Sequence, residues 1–269
     1  FLITLVFTTL FLFLKKKING RMTFILVLFF ILFDLINISN RYLDRGLFLK
    51  PSRINNFYSE NNADKEILKD TSYFRVFEPS STMQNARASF FHNSVGGYHG
   101  AKPRRLEQFY KLFLQSKKTE LLNILNVKYV IEEKEGSVNA IENPNNLGLA
   151  WFAEKLIFEE NPDSVYMNLL KYDLRDTAII ESKNQDITNN YNERRISQIK
   201  LLKNKTDKKI YSIESNKPGF VVFSEMFYPG WKAEINNKEV KLYKVNFILR
   251  GLFVPKGASQ IKFYFEPSS

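Results

Sequence analysis

The first forty positions of the chain hold two nearly continuous apolar runs. Residues 1–14 carry no charge, and residues 22–38 are interrupted only by the polar side chains of Thr23, Asp34 and Asn37. An apolar helix of about 20 residues crosses the ~30 Å hydrocarbon core of a bilayer. The second run approaches that length, and we expect the first to continue upstream of this sequence. The pattern predicts a transmembrane helical hairpin over residues 1–40; a signal peptide or two buried helices of a soluble core are the alternatives.

The turn between the two runs is basic, with Lys15, Lys16, Lys17 and Arg21 close together. Short cytoplasmic loops of membrane proteins carry an excess of Lys and Arg. We therefore expect the turn in the cytoplasm and the chain after Asn40 on the other side of the membrane. Further cations at positions 41, 45, 50 and 53 follow the second run and reduce this asymmetry.

Residues 41–190 mix strand and helix signals. Strands are predicted at residues 74–77, 127–131, 151–158 and 177–180, and helices at residues 106–114, 119–125 and 162–170. The first helix is predicted from apolar side chains at helical spacing, and the second from Thr119 as a candidate N-cap. This order favours a small mixed α/β unit.

From about residue 195 the apolar positions recur with a period of two. Ile261, Phe263 and Phe265 alternate with Lys262 and Tyr264, and turn sequences rich in Asn, Pro and Gly separate the runs. Short strands with such turns indicate a β-sandwich. The predicted fold class is α+β: a transmembrane helical hairpin (residues 1–40), an extracytoplasmic mixed α/β region (41–190) and a C-terminal β-sandwich (191–269).

Composition and charge exclude several kinds of function. The 269 residues contain no Cys and two His, which rules out disulfides, iron–sulfur clusters, cysteine nucleophiles and three-His metal sites. The net charge of +11 favours anionic partners, which beside a bilayer are lipid headgroups or a lipid-linked phosphate. Nucleic acid is not an expected partner, because the sequence has no zinc knuckle, RNA-recognition signature or long basic helix.

The densest candidate chemistry lies in residues 85–105, which contain both His and three Gly. A Gly-rich backbone beside Lys and Arg can cradle a phosphate, although this segment has neither the Walker nor the dinucleotide spacing. The alternative is a structural loop whose His residues hydrogen-bond locally. No metal is expected, because His92 and His99 lack a third ligand. The candidate substrate-binding residues of this segment are His92, Tyr98, His99, Lys102, Arg104 and Arg105.

A second candidate surface lies in the predicted sandwich. The rings of Tyr228, Trp231 and Tyr243 could stack on sugar C–H faces, but a sandwich core also needs large aromatic side chains. No catalytic residue is assigned, since nothing in the sequence pairs a His with a nucleophile or fixes two carboxylates at a working distance.

Several motifs along nearly the whole chain are shared with one family. They occur at residues 34–36 (DLI), 40–43 (NRYL), 63–65 (ADK), 89–92 (SFFH), 96–102 (GGYHGAK), 125–129 (LNVKY), 143–148 (NPNNLG), 150–152 (AWF), 176–178 (DTA) and 224–233 (SEMFYPGWKA). On these residues the chain resembles the C-terminal part of the YfhO family of bacterial multispanning membrane proteins. The GGYHGAK and FYPGW stretches are the most specific of them.

The resemblance implies a lipid-carrier-dependent glycosyltransferase of the GT-C type in the cell membrane. Such an enzyme transfers a sugar from a polyprenyl-phosphate donor, its substrate, to a cell-envelope polymer such as lipoteichoic acid. The resemblance also places the catalytic carboxylate in an early outer loop that this sequence does not contain, so we expect no activity from this chain alone. A non-catalytic module that binds glycan or an envelope partner, and a structural lid, are the alternative hypotheses.

Overall fold

The computed structural model of the chain describes residues 2–43, 46, 48, 50–80, 86–98, 100–183 and 195–267. Its helices are α1 (Leu2–Leu14), α2 (Gly20–Tyr42), α3 (Pro51–Phe57), α4 (Asn62–Ile67), α5 (Arg87–Phe91), α6 (Arg104–Ser116), α7 (Glu120–Asn123) and α8 (Pro162–Asn168). The first seven strands are β1 (Arg75–Phe77), β2 (Val127–Lys134), β3 (Ser137–Glu142), β4 (Ala150–Ala153), β5 (Lys155–Glu159), β6 (Thr177–Glu181) and β7 (Ser197–Asn204). The other seven are β8 (Lys208–Ser215), β9 (Gly219–Met226), β10 (Trp231–Ile235), β11 (Lys238–Val240), β12 (Tyr243–Val245), β13 (Leu249–Val254) and β14 (Gly257–Phe265). The predicted α+β class is confirmed.

Residues Phe1–Ser59 form the first of two compact units, in which α1 packs against α2. The Asn19 side chain accepts a hydrogen bond from the Met22 N–H and so caps α2. The Thr9 and Thr23 hydroxyls and the Asn37 amide each donate to a backbone carbonyl four residues earlier. Their polar groups are thus satisfied within the helices, as a hydrocarbon environment requires.

The length and surface of α2 suit a membrane span. Its 23 residues are apolar enough to cross a bilayer, whereas α1 is shorter. Within α2, which is described throughout, Thr23 is the one buried residue, and large apolar side chains such as Phe24 and Phe29 are exposed. An apolar surface of this extent needs a cover of lipid or apolar protein. The second predicted helix is therefore confirmed, and it extends beyond the predicted run at both ends.

Residues Glu60–Ser269 form the second unit, which contains three sheets. A three-stranded sheet has the order β1-β2-β3, with β1 and β2 parallel. An antiparallel five-stranded sheet has the order β11-β10-β14-β8-β7, and a six-stranded sheet the order β4-β9-β13-β12-β6-β5. In the six-stranded sheet β5 and β6 are parallel and the other pairs antiparallel.

Strand β9 is buried on both faces, which explains its continuous apolar sequence. Val221 and Phe223 pack in the core between the five- and six-stranded sheets, while Phe220 and Val222 pack in a core shared with α6, α7 and α8. Gly251 on the neighbouring β13 allows this close packing, because a Cβ there would lie 2.6 Å from the Phe220 ring. A smaller core joins α4 to the three-stranded sheet.

The run predicted as one strand at residues 151–158 is two strands. Strands β4 and β5 are separated only by Glu154, yet they occupy opposite edges of the six-stranded sheet. Strands lie about 4.8 Å apart, so the edges of a flat six-stranded sheet would be roughly 24 Å apart. The sheet must therefore curl until its two edges approach each other at Glu154. The prediction of a single strand was wrong, because the spacing of apolar residues does not show that the chain changes its pairing partner at Glu154.

The predicted boundaries at residues 40 and 190 remain predictions. Contacts divide the chain after Ser59, and β4, β5 and β6, which precede residue 190, complete the sheet built by β9, β12 and β13. A segment restricted to residues 195–269 would leave both ends of that sheet without their native strands, β4 at one end and β6 and β5 at the other.

A partly buried ion cluster joins the three sheets. The Glu225 carboxylate of β9 lies 3.2 Å from Arg75 of β1, 3.2 Å from Lys209 of β8 and 3.7 Å from Arg250 of β13. The Arg250 side chain is 1% exposed, and its guanidinium lies between the rings of Trp231 and Phe263. Three cations therefore share one counter-ion in the interior.

Replacing this carboxylate should destabilise the whole second unit. We expect Glu225→Gln to lower the free energy of unfolding by about 3–5 kcal/mol, because it leaves three partly buried cations without a counter-charge. Thermal unfolding of the chain in detergent, followed by circular dichroism, measures this. The matched control is Glu239→Gln, which alters an exposed carboxylate on β11. Equal melting temperatures for the two variants would contradict the assigned role of Glu225.

Candidate functional site

The segment at residues 86–98 is more ordered than the predicted loop. It contains α5, and its residues after the helix pair with β1: the Val76 N–H donates to the Asn93 carbonyl (2.8 Å), and the Val95 N–H to the Val76 carbonyl (3.0 Å). Gly97 has φ +122°, and a Cβ there would lie 3.2 Å from the Ser89 hydroxyl. The glycine therefore allows the chain to fold back onto α5.

His92 belongs to a buried charged cluster. Its Nε2 lies 2.9 Å from Oδ1 of Asp64, whose side chain is 0% exposed and also accepts a hydrogen bond from Arg87. Burial alone would raise the pKa of Asp64, but hydrogen bonds from Arg87, the Asn61 N–H and His92 outweigh burial and lower it. Asp64 forms a capping box with Asn61 at the start of α4, so the cluster connects α4 to α5. The hydrogen bond to Asp64 gives His92 a structural role, which is the alternative to phosphate binding that the sequence left open.

An open cavity of about 340 Å³ lies beside this cluster, between residues 67–74 and residues 89–93. We call it the α5 cleft. Its aromatic lining comes from Phe74, Phe90 and Phe91, and its polar lining includes Ser72 and Asn93. The cleft thus combines ring faces with hydrogen-bonding groups, as ligand sites commonly do.

Asp70 also lines the α5 cleft, but its hydrogen-bonding capacity is filled. Oδ1 accepts from the Ser72 N–H (2.9 Å) and hydroxyl (2.7 Å), and Oδ2 accepts from Lys128 Nζ (2.5 Å) and the Tyr129 hydroxyl (3.1 Å). The hydrogen bonds from Lys128 and Ser72 hold the pKa of Asp70 far below its usual range. An ionised, saturated carboxylate fixes its neighbours and has no proton to give as a general acid.

Arg105 contacts protein groups on three sides. It forms a two-pronged ion pair with Glu181 (2.5 and 3.1 Å), donates to the Phe247 carbonyl (3.2 Å) and lies over the Phe247 ring. Lys244 binds the same carboxylate at 3.0 Å. These cations outweigh burial and lower the pKa of Glu181. The geometry shows Arg105 fastening α6 to the six-stranded sheet.

The other candidates of this segment lie nearer to solvent. Arg104 is exposed on the first turn of α6, Tyr98 is exposed, and Lys102 is half-buried. His99 lies outside the described residues. The Tyr110 hydroxyl of α6 donates to the Val95 carbonyl, which ties the helix to the segment before it. The six predicted residues therefore do not form one cluster: His92 lies at the α5 cleft, and the cations lie at the start of α6.

The predicted aromatic surface is also divided. Trp231 packs beside Phe265 (5.5 Å) and Arg250, while Tyr243 packs with Phe220 and Phe253 in the other core. Tyr228 is about half exposed and lies 6.3 Å from Phe265. Sugar stacking stays a prediction, for which Tyr228 offers the more exposed ring.

Sequence reasoning missed the partners that hold the site. Asp64 could have been found from the Asn61–Asp64 spacing, which is a capping pattern. Asp70 has a local contact with Ser72, but its pairing with Lys128 and Tyr129, like the position of Asn93 beside β1, depends on contacts distant in sequence. Among the described residues no group of three or more His, Asp or Glu could hold a metal ion.

The Asp64 cluster should make the free energy of unfolding depend on pH. A carboxylate whose pKa is lowered by folding stabilises the fold above its unfolded value of about 3.9, and this stability is lost as the pH falls through the folded pKa. We expect Asp64→Asn to melt several degrees below wild type at pH 7, with the difference shrinking towards pH 3. Asp207→Asn, at an exposed carboxylate, is the control. A pH-independent difference for Asp64→Asn would refute the ionic role.

Comparisons with known proteins relate the C-terminal part of the chain to a family. The family model described as bacterial membrane protein YfhO matches residues 162–269. No curated protein and no solved structure matches the chain. The matched range includes Glu181, Tyr228 and the Glu225 cluster apart from Arg75, and it leaves out the α5 cleft. The resemblance is thus confirmed over residues 162–269, and the chain, with its membrane-length α2, fits the C-terminal part of a YfhO family membrane protein.

Proposed function

We propose that this chain is the extracytoplasmic C-terminal portion of a multi-pass cell-membrane protein, a GT-C-like glycosyltransferase that glycosylates the cell envelope. Its donor is a sugar carried on a polyprenyl phosphate, and its acceptor is an envelope polymer. The YfhO match and the membrane-length helix support the membrane setting. The observation that carries the proposal is the cationic start of α6.

The start of α6 is suited to an anion. The helix has 13 residues, and Pro103 at its N-cap supplies no side-chain hydrogen bond, so the first N–H groups have no side-chain cap. These groups and the helix dipole favour negative charge at this end. Lys102 precedes the helix, and Arg104 stands exposed on its first turn.

The cations divide their roles in this proposal. Arg105 is neutralised by Glu181 and positions the helix. Arg104, which is exposed on the first turn, and Lys102, which precedes the helix, are assigned as the phosphate contacts. When the bond between sugar and carrier phosphate breaks, negative charge develops on the leaving phosphate. Cations and N–H groups already in place stabilise that charge without reorganisation.

The basic turn before α2 supports the orientation. Lys15, Lys16, Lys17 and Arg21 would keep it in the cytoplasm, so that α2 delivers the second unit to the outer surface. The carrier phosphate would then lie at the bilayer surface and the acceptor polymer outside the cell.

A second candidate function is a non-catalytic module that binds glycan or an envelope partner. The observation in its favour is the pair of partly exposed rings of Tyr228 and Phe265. Under this hypothesis Tyr228→Ala weakens polymer binding, and the α6 cations have no effect on any sugar transfer.

The transfer hypothesis is tested with the full-length protein in membranes. We expect Arg104→Ala and Lys102→Ala each to lower sugar transfer to the polymer by about tenfold or more, because each removes a charge-assisted hydrogen bond. Lys111→Ala is the control, since that exposed lysine of α6 pairs with Glu107 instead. Unchanged transfer in both the Arg104 and the Lys102 variants would overturn the assigned role of the α6 start.

A further inference from the structure

We infer that the α5 cleft is a binding site for a neutral saccharide unit. This inference extends the proposed function by assigning a place for sugar, and it stands without the transfer reaction. It rests on the cleft's size, its rings, its polar groups and its charge.

The size of the cleft fits a small ligand. Its volume of about 340 Å³ lies at the low end of ligand-binding cavities, which span about 300–1,000 Å³. One sugar unit fits a space of this size, and its openness to solvent lets neighbouring units of a longer glycan continue outside. A polyprenyl chain needs a longer apolar groove.

The aromatic lining gives the cleft a stacking surface. The Phe90 side chain is 63% exposed although it meets Phe91 edge-on at 4.9 Å. A sugar C–H face can pack on the exposed part of this ring, and covering apolar surface is favourable.

The polar lining supplies hydrogen bonds at fixed positions. The Asn93 side chain makes no hydrogen bond to another described residue, while its backbone is held by β1. An amide can both donate to and accept from sugar hydroxyls. The Ser72 hydroxyl gives its proton to Asp70 and keeps an acceptor for the ligand. Because β1 holds the Asn93 backbone and Asp70 holds the Ser72 hydroxyl, little conformational entropy is lost when a ligand binds.

The charge of the cleft selects a neutral ligand. Asp70 is ionised but paired with Lys128 at 2.5 Å, and no Lys or Arg is among the described lining residues, so the cleft offers no uncompensated positive charge to offset the desolvation of an anionic sugar. A cationic ligand finds the Asp70 oxygens already filled by Ser72, Lys128 and Tyr129. His92 is likewise engaged by Asp64.

The test is direct sugar binding by the full chain. The protein is placed in phosphatidylcholine nanodiscs, because maltoside detergents themselves carry sugar. Saturation-transfer NMR then compares methyl β-D-glucopyranoside and N-acetylglucosamine with glucuronate, each up to about 20 mM, which saturates a site with a Kd near 1 mM. We expect saturable binding of at least one neutral sugar and none of glucuronate.

Two variants locate the binding. Phe90→Ala should weaken it by about fivefold or more, and Asn93→Ala by about twofold to tenfold. The melting temperature of Phe90→Ala is measured beside that of wild type, which separates lost binding from lost fold. Met167→Ala removes an equally exposed apolar side chain from α8 and is the neutral control.

The outcomes distinguish this inference from the proposed function. Absence of binding by both neutral sugars, preference for glucuronate, or binding that Tyr228→Ala abolishes while Phe90→Ala does not, each overturns the cleft assignment. Binding that depends on Phe90 in a full-length protein that transfers no sugar supports the cleft and removes the transferase. Sugar transfer by the full-length protein, together with unchanged sugar affinity in Phe90→Ala, supports the transferase and removes the cleft assignment.

Discussion

The ion cluster at Glu225 is the interaction on which the second unit depends. One carboxylate holds Arg75, Lys209 and Arg250, and each cation comes from a different strand in the three-sheet assembly. Taking these charges out of water costs several kcal/mol per ion, so their mutual pairing has to be kept intact. The same cost disfavours any arrangement of the three-stranded sheet that does not bring Arg75 to Glu225.

The α5 cleft is connected to the Glu225 cluster through β1. Arg75 also donates to the carbonyls of Leu125 and Ser224, and the next residue, Val76, pairs with the backbone on both sides of Ser94. A strand of three residues therefore carries the ion cluster on one side chain and the wall of the α5 cleft on its backbone. A change at Glu225 should consequently alter the cleft through β1.

Local patterns predicted the elements well and their partners poorly. The helix at 104–116 and the alternation along β14 follow from spacing within a few residues, which is information that the sequence contains directly. The crossing from β4 to β5 at Glu154 and the pairing of Arg105 with Glu181 depend on which distant strands come together. Likewise the cations of residues 102–105 looked equivalent in sequence, and only the fold shows that Arg105 is neutralised while Arg104 reaches solvent. Long-range pairing has no local period, so it could not be read from the chain.

The α5 cleft and the cations at the start of α6 lie in separate parts of one segment, and this separation can be compared with the chemistry of the proposed ligand. A glycosyl phosphate has two chemically different halves, a neutral ring rich in hydroxyls and an anionic phosphate. A site that holds both must keep its cations away from the sugar, where they would be poorly solvated, and concentrate them where charge develops. Here the neutral, ring-lined cleft is built by residues 89–93, and the cations lie at the start of α6, with the turn at Gly97 between them along the chain. In the two proposals taken together, this glycine-containing connection separates the proposed sugar site from the proposed phosphate contacts within one short segment.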